Sequence, residues 1–383
     1  MNLDKFFRPK SIAIIGASRD QNKVGHVILK NLVDAGFKGK IYPINPNAEE
    51  ILNLKCYKSV LEIREEIDLA IIAVPAQFAL DVVKQCGIKE IDNLAMITAG
   101  FSEIGNEEAE KEILAQLKQH GMRLIGPNML GLLDVHSNLD TIFLPRLRLT
   151  RPHPGSISFI CQSGAVGSAM LDLSATQGYG FAKFISYGNA LDLNECDFLE
   201  YLGNDPKTKV ICMYIEGIKD GKRFMEVAKK VSKKKPIIAI KGGTTEEGKQ
   251  AALSHTASLA GSFEIYKGAF KQTGIIYANN LEELFDFARI LDKSIAPKGD
   301  RIQIITNGGG YGILSADNIA ENKLKLAVMS TESRKFLQKN TSPISIIKNP
   351  IDLAGDADTK RFEITLESCI KDKNIDIILA VIL

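Results

Sequence analysis

The sequence has 383 residues, of which 45% are apolar and 25% charged, and its formal net charge is +2. This length suits two or three domains, each with its own core, and the near balance of charges favours no nucleic-acid partner. No apolar stretch approaches the ~20 residues that a membrane span requires, the amino terminus lacks signal-peptide features, and six scattered cysteines without metal-ligand spacing are typical of reduced cytoplasmic thiols.

A continuous apolar run over 11–15 predicts the first strand, which ends in the turn Gly16-Ala17-Ser18. A helix is predicted next, because apolar residues recur at helical spacing from Val24 to Leu32. The turn lacks the pattern G-x-G-x-x-G, and the second strand ends in Asn45-Pro46 where a dinucleotide site would place an acidic residue. Backbone N–H groups at the helix start favour anions, and Lys23 adds charge, which suits a phosphate-bearing adenine ligand other than NAD(P). Alternatively, Gly16 serves only the tight turn.

The same strand, turn and helix pattern returns at 157–161, Gln162-Ser163-Gly164 and about 165–177. Small residues at the start of this helix leave unpaired backbone N–H groups and the positive end of the helix dipole free to face an anion. The second unit therefore offers a candidate site for a phosphoryl group.

His255 has a setting that the other four histidines lack, a run of small polar residues after the predicted strand 236–240. Open α/β sheets place their chemistry at the carboxyl ends of strands, and a neutral imidazole can accept a phosphoryl group. A phosphohistidine needs a neutralising cradle, for which Ser163-Gly164-Ala165 is the candidate, and a carboxylate that orients the ring. Glu216, after the predicted strand 210–214, is the candidate carboxylate. Alternatively, His255 is an ordinary loop histidine and Glu216 a loop or capping acid.

A third repeat of the pattern comprises 302–306, Asn307-Gly-Gly-Gly310 and a helix over about 311–321. Further strands are predicted at 41–44, 69–74 and 94–98. Alternating helices and continuous apolar strands predict parallel sheets covered on both faces. We therefore predict an α/β fold of three consecutive doubly wound parallel-sheet domains, with junctions in the Pro-bearing stretches 144–155 and 294–300.

Several short motifs resemble, in the same order, those of the α subunit of the ADP-forming acyl-CoA synthetases, relatives of succinyl-CoA synthetase. The motifs are Ile14-Ile-Gly-Ala-Ser18, Val24-Gly25, Tyr42-Pro-Ile-Asn-Pro46, Ala73-Val-Pro75, Thr98-Ala-Gly-Phe-Ser-Glu103, Gly126-Pro-Asn128, Gln162-Ser-Gly164, Tyr187-Gly-Asn189, Glu216-Gly217, Ser254-His-Thr256 and Thr306-Asn-Gly-Gly-Gly310. The resemblance covers essentially the whole chain, and several motifs in the family order are more specific than any one of them.

The resemblance implies a Rossmann-like CoA-binding domain over 1–128, then flavodoxin-like ligase domains over 129–295 and 296–383, the last incomplete. It also implies that His255 is the phosphorylated histidine and Glu216 its stabilising carboxylate, with no metal site in this chain. The residues implied to bind the phosphoryl group are Ser163, Gly164 and Ala165. Those implied to line the CoA site are Gly16, Ser18, Lys23, Val24, Asn45, Pro46, Val74 and Pro75.

The family reaction is acyl-CoA + ADP + phosphate ⇌ acid + ATP + CoA, through an acyl phosphate and a phosphohistidine. This implies a cytoplasmic, hetero-oligomeric ligase whose substrates are CoA and a carboxylic acid such as acetate. Mg²⁺ and ADP or ATP are expected on an ATP-grasp partner subunit or fused domain, since the sequence has no Walker lysine motif. The third glycine-rich turn departs from the family pattern, because Tyr311 stands where proline is usual.

Two functions of other classes remain as alternatives. A regulatory module that binds CoA or acyl-CoA without a phosphorelay would need neither His255 nor Glu216. An NAD(P)-dependent Rossmann enzyme is disfavoured by the missing glycine fingerprint and by Asn45-Pro46.

Overall fold

A computed structural model describes residues 3–245, 247–248, 262–295 and 297–383. The chain divides into two compact units, Met1–Lys293 and Ser294–Leu383. The first unit contains two large sheets and the second unit a smaller one.

The first sheet has five parallel strands in the order β2-β1-β5-β6-β7. Its strands are β1 (Ser11–Ile15), β2 (Lys40–Ile44), β5 (Leu69–Ile72), β6 (Asn93–Met96) and β7 (Arg123–Ile125), with the hairpin β3 (Glu50–Ile51) and β4 (Leu54–Lys55) beside it. Helices Asp4–Phe7, Val24–Asp34, Ala76–Ile88 and Glu107–His120 accompany the sheet, with short 3₁₀ helices at Val60–Glu62 and Ser102–Ile104. The strand order reverses between β1 and β5, and a ligand crevice is expected outside the carboxyl ends of strands at such a point.

The second sheet has seven strands in the order β14-β13-β12-β10-β11-β8-β9. They are β8 (Leu132–Asp134), β9 (Leu139–Asp140), β10 (Pro154–Cys161), β11 (Phe181–Ser186), β12 (Val210–Ile215), β13 (Ile237–Lys241) and β14 (Ile276–Tyr277). The helices of this part are Gly164–Thr176, Glu195–Asn204, Gly221–Ser232, Phe263–Thr273 and Leu281–Lys293. Strands β10 to β14 pair in parallel, as predicted.

One edge of this sheet differs from the predicted all-parallel arrangement, because β8 pairs antiparallel with β11, and β9 antiparallel with β8. Antiparallel strands need only a short connection, so this edge forms without a crossover helix. The chain therefore joins the second sheet at Leu132, ahead of the predicted junction at 144–155. That stretch is anchored to the edge, since Arg146 and Arg151 both pair with buried Asp140, at 3.1 and 2.9 Å.

A fully buried ion cluster ties the edge of the second sheet to its centre. Lys183 Nζ on β11 lies 3.1 Å from Asp134 Oδ2 and 2.8 Å from Asp205 Oδ2. Burial acts to raise the pKa of Asp205, but the hydrogen bond from Lys183 holds it below its usual value. Arg8 also pairs with Asp205, at 3.0 Å.

Replacing Lys183 with methionine should lower the free energy of unfolding by about 3–5 kcal/mol, because it leaves two buried carboxylates without their shared cation. Denaturant unfolding measures this, with Lys207→Met, at a nearby exposed lysine, as the matched control. A loss below about 1 kcal/mol, the range of exposed pairs, would show that the lysine is not needed to hold the two carboxylates.

The second unit is a four-stranded parallel sheet built around β15. Its strands are β15 (Arg301–Thr306), β16 (Lys325–Leu326), β17 (Ile351–Asp352) and β18 (Ile377–Val381), and its helices are Gly309–Glu321, Thr331–Asn340 and Thr359–Lys371. The predicted α/β class is confirmed. Among the helices in the described part of the chain, none has the length and apolar character needed to cross a bilayer.

Candidate functional site

A cavity of about 1200 Å³ lies in the first unit, where loops after the strands of both sheets meet. Every predicted site residue that the structure describes lines it: Gly16, Ser18, Lys23, Val24, Asn45, Pro46, Val74, Pro75, Ser163, Gly164, Ala165 and Glu216. His255 lies outside the described residues. The structure thus brings the predicted CoA-site residues and the predicted phosphate-site residues to one cavity.

The turn after β1 is held tightly against the ends of the neighbouring strands. Gly16 has φ +96°, and a Cβ there would meet the backbone carbonyl of Ala73. A Cβ at Gly25 would meet the carbonyl of Gly16 itself. The glycines are therefore required by backbone packing, as the tight-turn alternative for Gly16 predicts. Gly16 also lines the cavity, so the turn is not its only place in the structure.

Two polar side chains fix the shape of this loop. Asn45 Nδ2 donates to Ala17 O at 2.7 Å, and Asn45 Oδ1 accepts from the backbone N–H of Asn47 at 2.8 Å. Buried His26 donates from Nδ1 to Ser18 O at 2.8 Å. Asn45 thus links the loops after β1 and β2, in place of the ribose-binding acid of a dinucleotide site.

The second loop ends at the start of helix Gly164–Thr176. Ser163 caps the helix, its Oγ accepting from Val166 N–H at 3.4 Å. At Gly164 an added Cβ would lie 3.6 Å from Leu130 Cβ, an ordinary contact, so this glycine is not required by crowding. Ser163, Gly164 and Ala165 at the start of this helix line the cavity, and a helix start favours an anion.

Gln162 joins this loop to the one that carries Glu216, a role that was not predicted from the sequence. The buried Gln162 side chain accepts through Oε1 from the backbone N–H groups of Glu216 at 2.8 Å and Gly217 at 3.1 Å. The phosphate-site loop and the Glu216 loop are therefore held at a fixed spacing.

Glu216 is nearly buried, with 8% of its surface exposed. Burial raises the pKa of Tyr214, and the neighbouring Glu216 carboxylate raises it further by charge and by a hydrogen bond. In the same part of the chain, burial raises the pKa of the Glu195 carboxyl to about 7, while the positive charge of Lys219 acts to lower it. A buried carboxylate such as that of Glu216 favours a hydrogen-bond donor or a cation as its neighbour.

A polar cluster joins the two sheets at one side of the cavity. Asn189 Nδ2 lies within hydrogen-bonding distance of Ser102 Oγ (3.1 Å), Glu103 Oε2 (2.6 Å) and Glu110 Oε1 (2.9 Å). Asn128 Nδ2 donates to Asn189 Oδ1 at 3.2 Å. Burial acts to raise the pKa of Glu103, but bonds from Gly100 N–H and Asn189 hold it low. The family motifs that contain Glu103, Asn128 and Asn189 thus meet at one junction between the sheets.

All six cysteines are buried and outside disulfides. Burial raises the pKa of each thiol, to about 12 for Cys86, Cys196 and Cys369. The thiols are therefore unsuited to nucleophilic chemistry. Within the residues that the structure describes, no group of three His, Cys, Asp or Glu side chains is placed to hold a metal ion.

Three family profiles match the chain in order. They are a CoA binding domain over residues 10–134, a succinyl-CoA ligase like flavodoxin domain over 154–291, and a ligase-CoA domain over 302–382.

Relatives match this chain over 91% or more of its length. The chain is 45% identical over 381 residues to acetate–CoA ligase [ADP-forming] II subunit alpha from Pyrococcus furiosus, covering 99% of this chain and 82% of that protein. It is 48% identical over 349 residues to acetate–CoA ligase [ADP-forming] from Methanocaldococcus jannaschii, covering 91% of this chain and 49% of that protein. The dinucleotide-forming acetyl-coenzyme A synthetase 1 of Ca. Korarchaeum cryptofilum, solved with phosphate and ADP, superposes with a TM-score of 0.94 at 40% identity, covering 100% of this chain and 82% of that chain.

Proposed function

The chain belongs to the α subunits of the ADP-forming acyl-CoA synthetases, and on that premise we propose that it catalyses acyl-CoA + ADP + phosphate ⇌ acid + ATP + CoA with His255 as the phosphoryl carrier. Acetyl-CoA is the proposed substrate, because the similar relatives are named acetate–CoA ligases. The chain is then one part of a ligase that conserves the energy of a thioester as ATP.

One observation carries this proposal: the turn after β1, the start of helix Gly164–Thr176 and Glu216 all line a single cavity. A thioester and a phosphate must meet for the first step, and CoA bound along the first sheet can reach a phosphate at Ser163. Holding two reactants in one site replaces an encounter between free molecules with a reaction inside a complex.

In the proposed first step, a phosphate oxygen attacks the thioester carbonyl. The carbon–sulfur bond breaks, CoA leaves as a thiolate that takes up a proton, and an acyl phosphate remains. Backbone N–H groups at Ser163, Gly164 and Ala165 bind the phosphate and stabilise the charge that develops on it.

In the second step, a ring nitrogen of His255 attacks phosphorus and the carboxylic acid leaves as carboxylate. Glu216 orients the ring and balances the positive charge that it acquires. ADP then attacks the phosphohistidine, which forms ATP and restores the neutral imidazole. Mg²⁺ bound with the nucleotide on the partner would neutralise the charge of its phosphates.

The proposed roles of the three segments follow their order in the chain. Residues 1–128 bind CoA through Gly16, Ser18, Lys23, Val24, Asn45, Pro46, Val74 and Pro75. Residues 129–295 contain the residues for phosphoryl transfer, which are Ser163, Gly164, Ala165, Glu216 and His255. Residues 296–383 form the second ligase domain. ADP or ATP is bound by an ATP-grasp β subunit or fused domain in a cytoplasmic hetero-oligomer, a proposal supported by relatives named as α subunits.

A test of the proposal is the dependence of activity on the partner. The chain by itself should show no acid- and CoA-dependent ATP turnover and should gain it when the cognate ATP-grasp subunit is added, as measured by acyl-CoA formation. If residues 1–383 alone turned over ATP as fast as they do with the partner, the proposed need for an ATP-grasp partner would be contradicted. CoA binding without any phosphoryl uptake, with the partner present, would favour a regulatory module.

A further inference from the structure

A second cation lines the cavity at the carboxyl end of β2. Lys58 follows the β3–β4 hairpin and lies beside the Asn45 loop, because Asn45 N–H donates to Tyr57 O at 2.9 Å and Tyr57 N–H to Pro43 O at 3.0 Å. The backbone N–H of Lys58 donates to Glu62 Oε2 at 3.0 Å. The main chain at Lys58 is thus fixed next to the strand end, and its side chain is exposed.

The wall beside Lys58 is one face of helix Ala76–Ile88. Phe78, Val82 and Gln85 line the cavity at helical spacing, and Phe78 keeps 51% of its surface exposed. Ser59 Oγ donates to Gln85 Oε1 at 2.7 Å, which joins the Lys58 loop to this helix. An exposed aromatic ring on an apolar wall suits stacking with a planar base.

Lys23 and Lys58 are the cations among the described lining residues, and neither has an ion-pair partner in the described part of the chain. They follow different strands: Lys23 stands after β1 at the start of helix Val24–Asp34, whereas Lys58 follows β4 and lies beside the end of β2. Two separate uncompensated cations in one cavity fit a ligand with two separate anionic groups.

We propose that Lys58 binds the 3′-phosphate of CoA and makes this site discriminate between CoA and 3′-dephospho-CoA. This inference rests on the proposed function, in which the cavity binds CoA. The start of helix Val24–Asp34 and Lys23 take the pyrophosphate, while the wall that contains Phe78 takes the adenine. The 3′-phosphate is attached to the ribose next to the adenine, so the cation beside that wall is the one placed to meet it. A lysine suits this role because it offers a compact charge to a phosphate dianion.

The test is calorimetric titration of CoA and 3′-dephospho-CoA into the full chain and three variants. Lys58→Met should weaken CoA binding about tenfold or more, as expected for loss of a charge-assisted bond, and leave 3′-dephospho-CoA binding unchanged. Lys23→Met should weaken both ligands by a similar factor. Lys84→Met, at an exposed lysine of the same helix that does not line the cavity, should change neither.

A conservative variant separates charge from shape, because Lys58→Arg should retain most of the preference for CoA. If Lys58→Met weakened both ligands equally, or neither, the assignment of the 3′-phosphate would be overturned while the CoA site itself stood. If the unmodified chain bound neither ligand, both the CoA site and this assignment would be overturned.

Discussion

Replacing His255 with alanine should abolish phosphoryl uptake and lower ligase activity with the partner by at least about 10³-fold. The side chain is the proposed nucleophile toward the acyl phosphate, and removal of a nucleophile leaves only the binding contributions to catalysis. His255 lies outside the described residues, so this expectation comes from its sequence setting and from the presence of Ser163 and Glu216 in the cavity. The direct measurement is the transfer of label to the chain alone from acetyl phosphate that is labelled in its phosphoryl group.

The bound label should be stable in alkali and labile in acid, as expected for phosphate on nitrogen. His120→Ala is the matched control, because His120 packs against Gly87 away from the cavity and should leave uptake unchanged. Full ligase activity in His255→Ala with the partner present would exclude the proposed relay.

Replacing Glu216 with glutamine should lower the rate of His255 phosphorylation by about 10²-fold, since the buried negative charge no longer stabilises the ring as it becomes positive. Folding should be little affected. Gln162 is bonded to the backbone N–H groups of Glu216 and Gly217, which the substitution keeps. An amide also has the same shape and avoids burying a charge.

Single-turnover phosphoryl transfer from labelled acetyl phosphate and denaturant unfolding, measured on the same samples, separate the two effects. Glu226→Gln is the control, because it removes an exposed carboxylate from helix Gly221–Ser232. If the Glu216→Gln variant accepted the phosphoryl group of acetyl phosphate as fast as the unchanged chain, Glu216 would be a loop acid without a role in the transfer.

The strands that position the site were predictable because they are buried on both faces. Ser11–Ile15 has the predicted bounds, the strand Val210–Ile215 ends one residue later than predicted, and the strand Ile237–Lys241 is shifted by one residue at both ends. Continuous apolar runs followed by small residues mark the carboxyl ends of parallel strands. Since these ends share one edge of a sheet, the sequence also predicted that the loops of Ser163 and Glu216 would meet.

Three features could not be read from the sequence. Strands β8 and β9 have only three and two residues, too few to show a period. The cluster around Asn189 joins residues about 80 positions apart in the chain (|i−j| = 79 to 87), so it exists only once the sheets are packed. No sequence motif distinguishes Lys58 from the other lysines. Its place in the cavity depends on the packing of its loop against Gln85.

The two sheets of the first unit share one hydrophobic core. Ile12 and Ile71 of the first sheet belong to the same buried cluster as Ile160 and Ile211 of the second. For protein engineering, residues 1–128 and 129–293 should therefore be exchanged together as one piece. Chimaeras between relatives that cross over near Lys293 keep this core from one parent, whereas those that cross over near residue 128 must rebuild it from two.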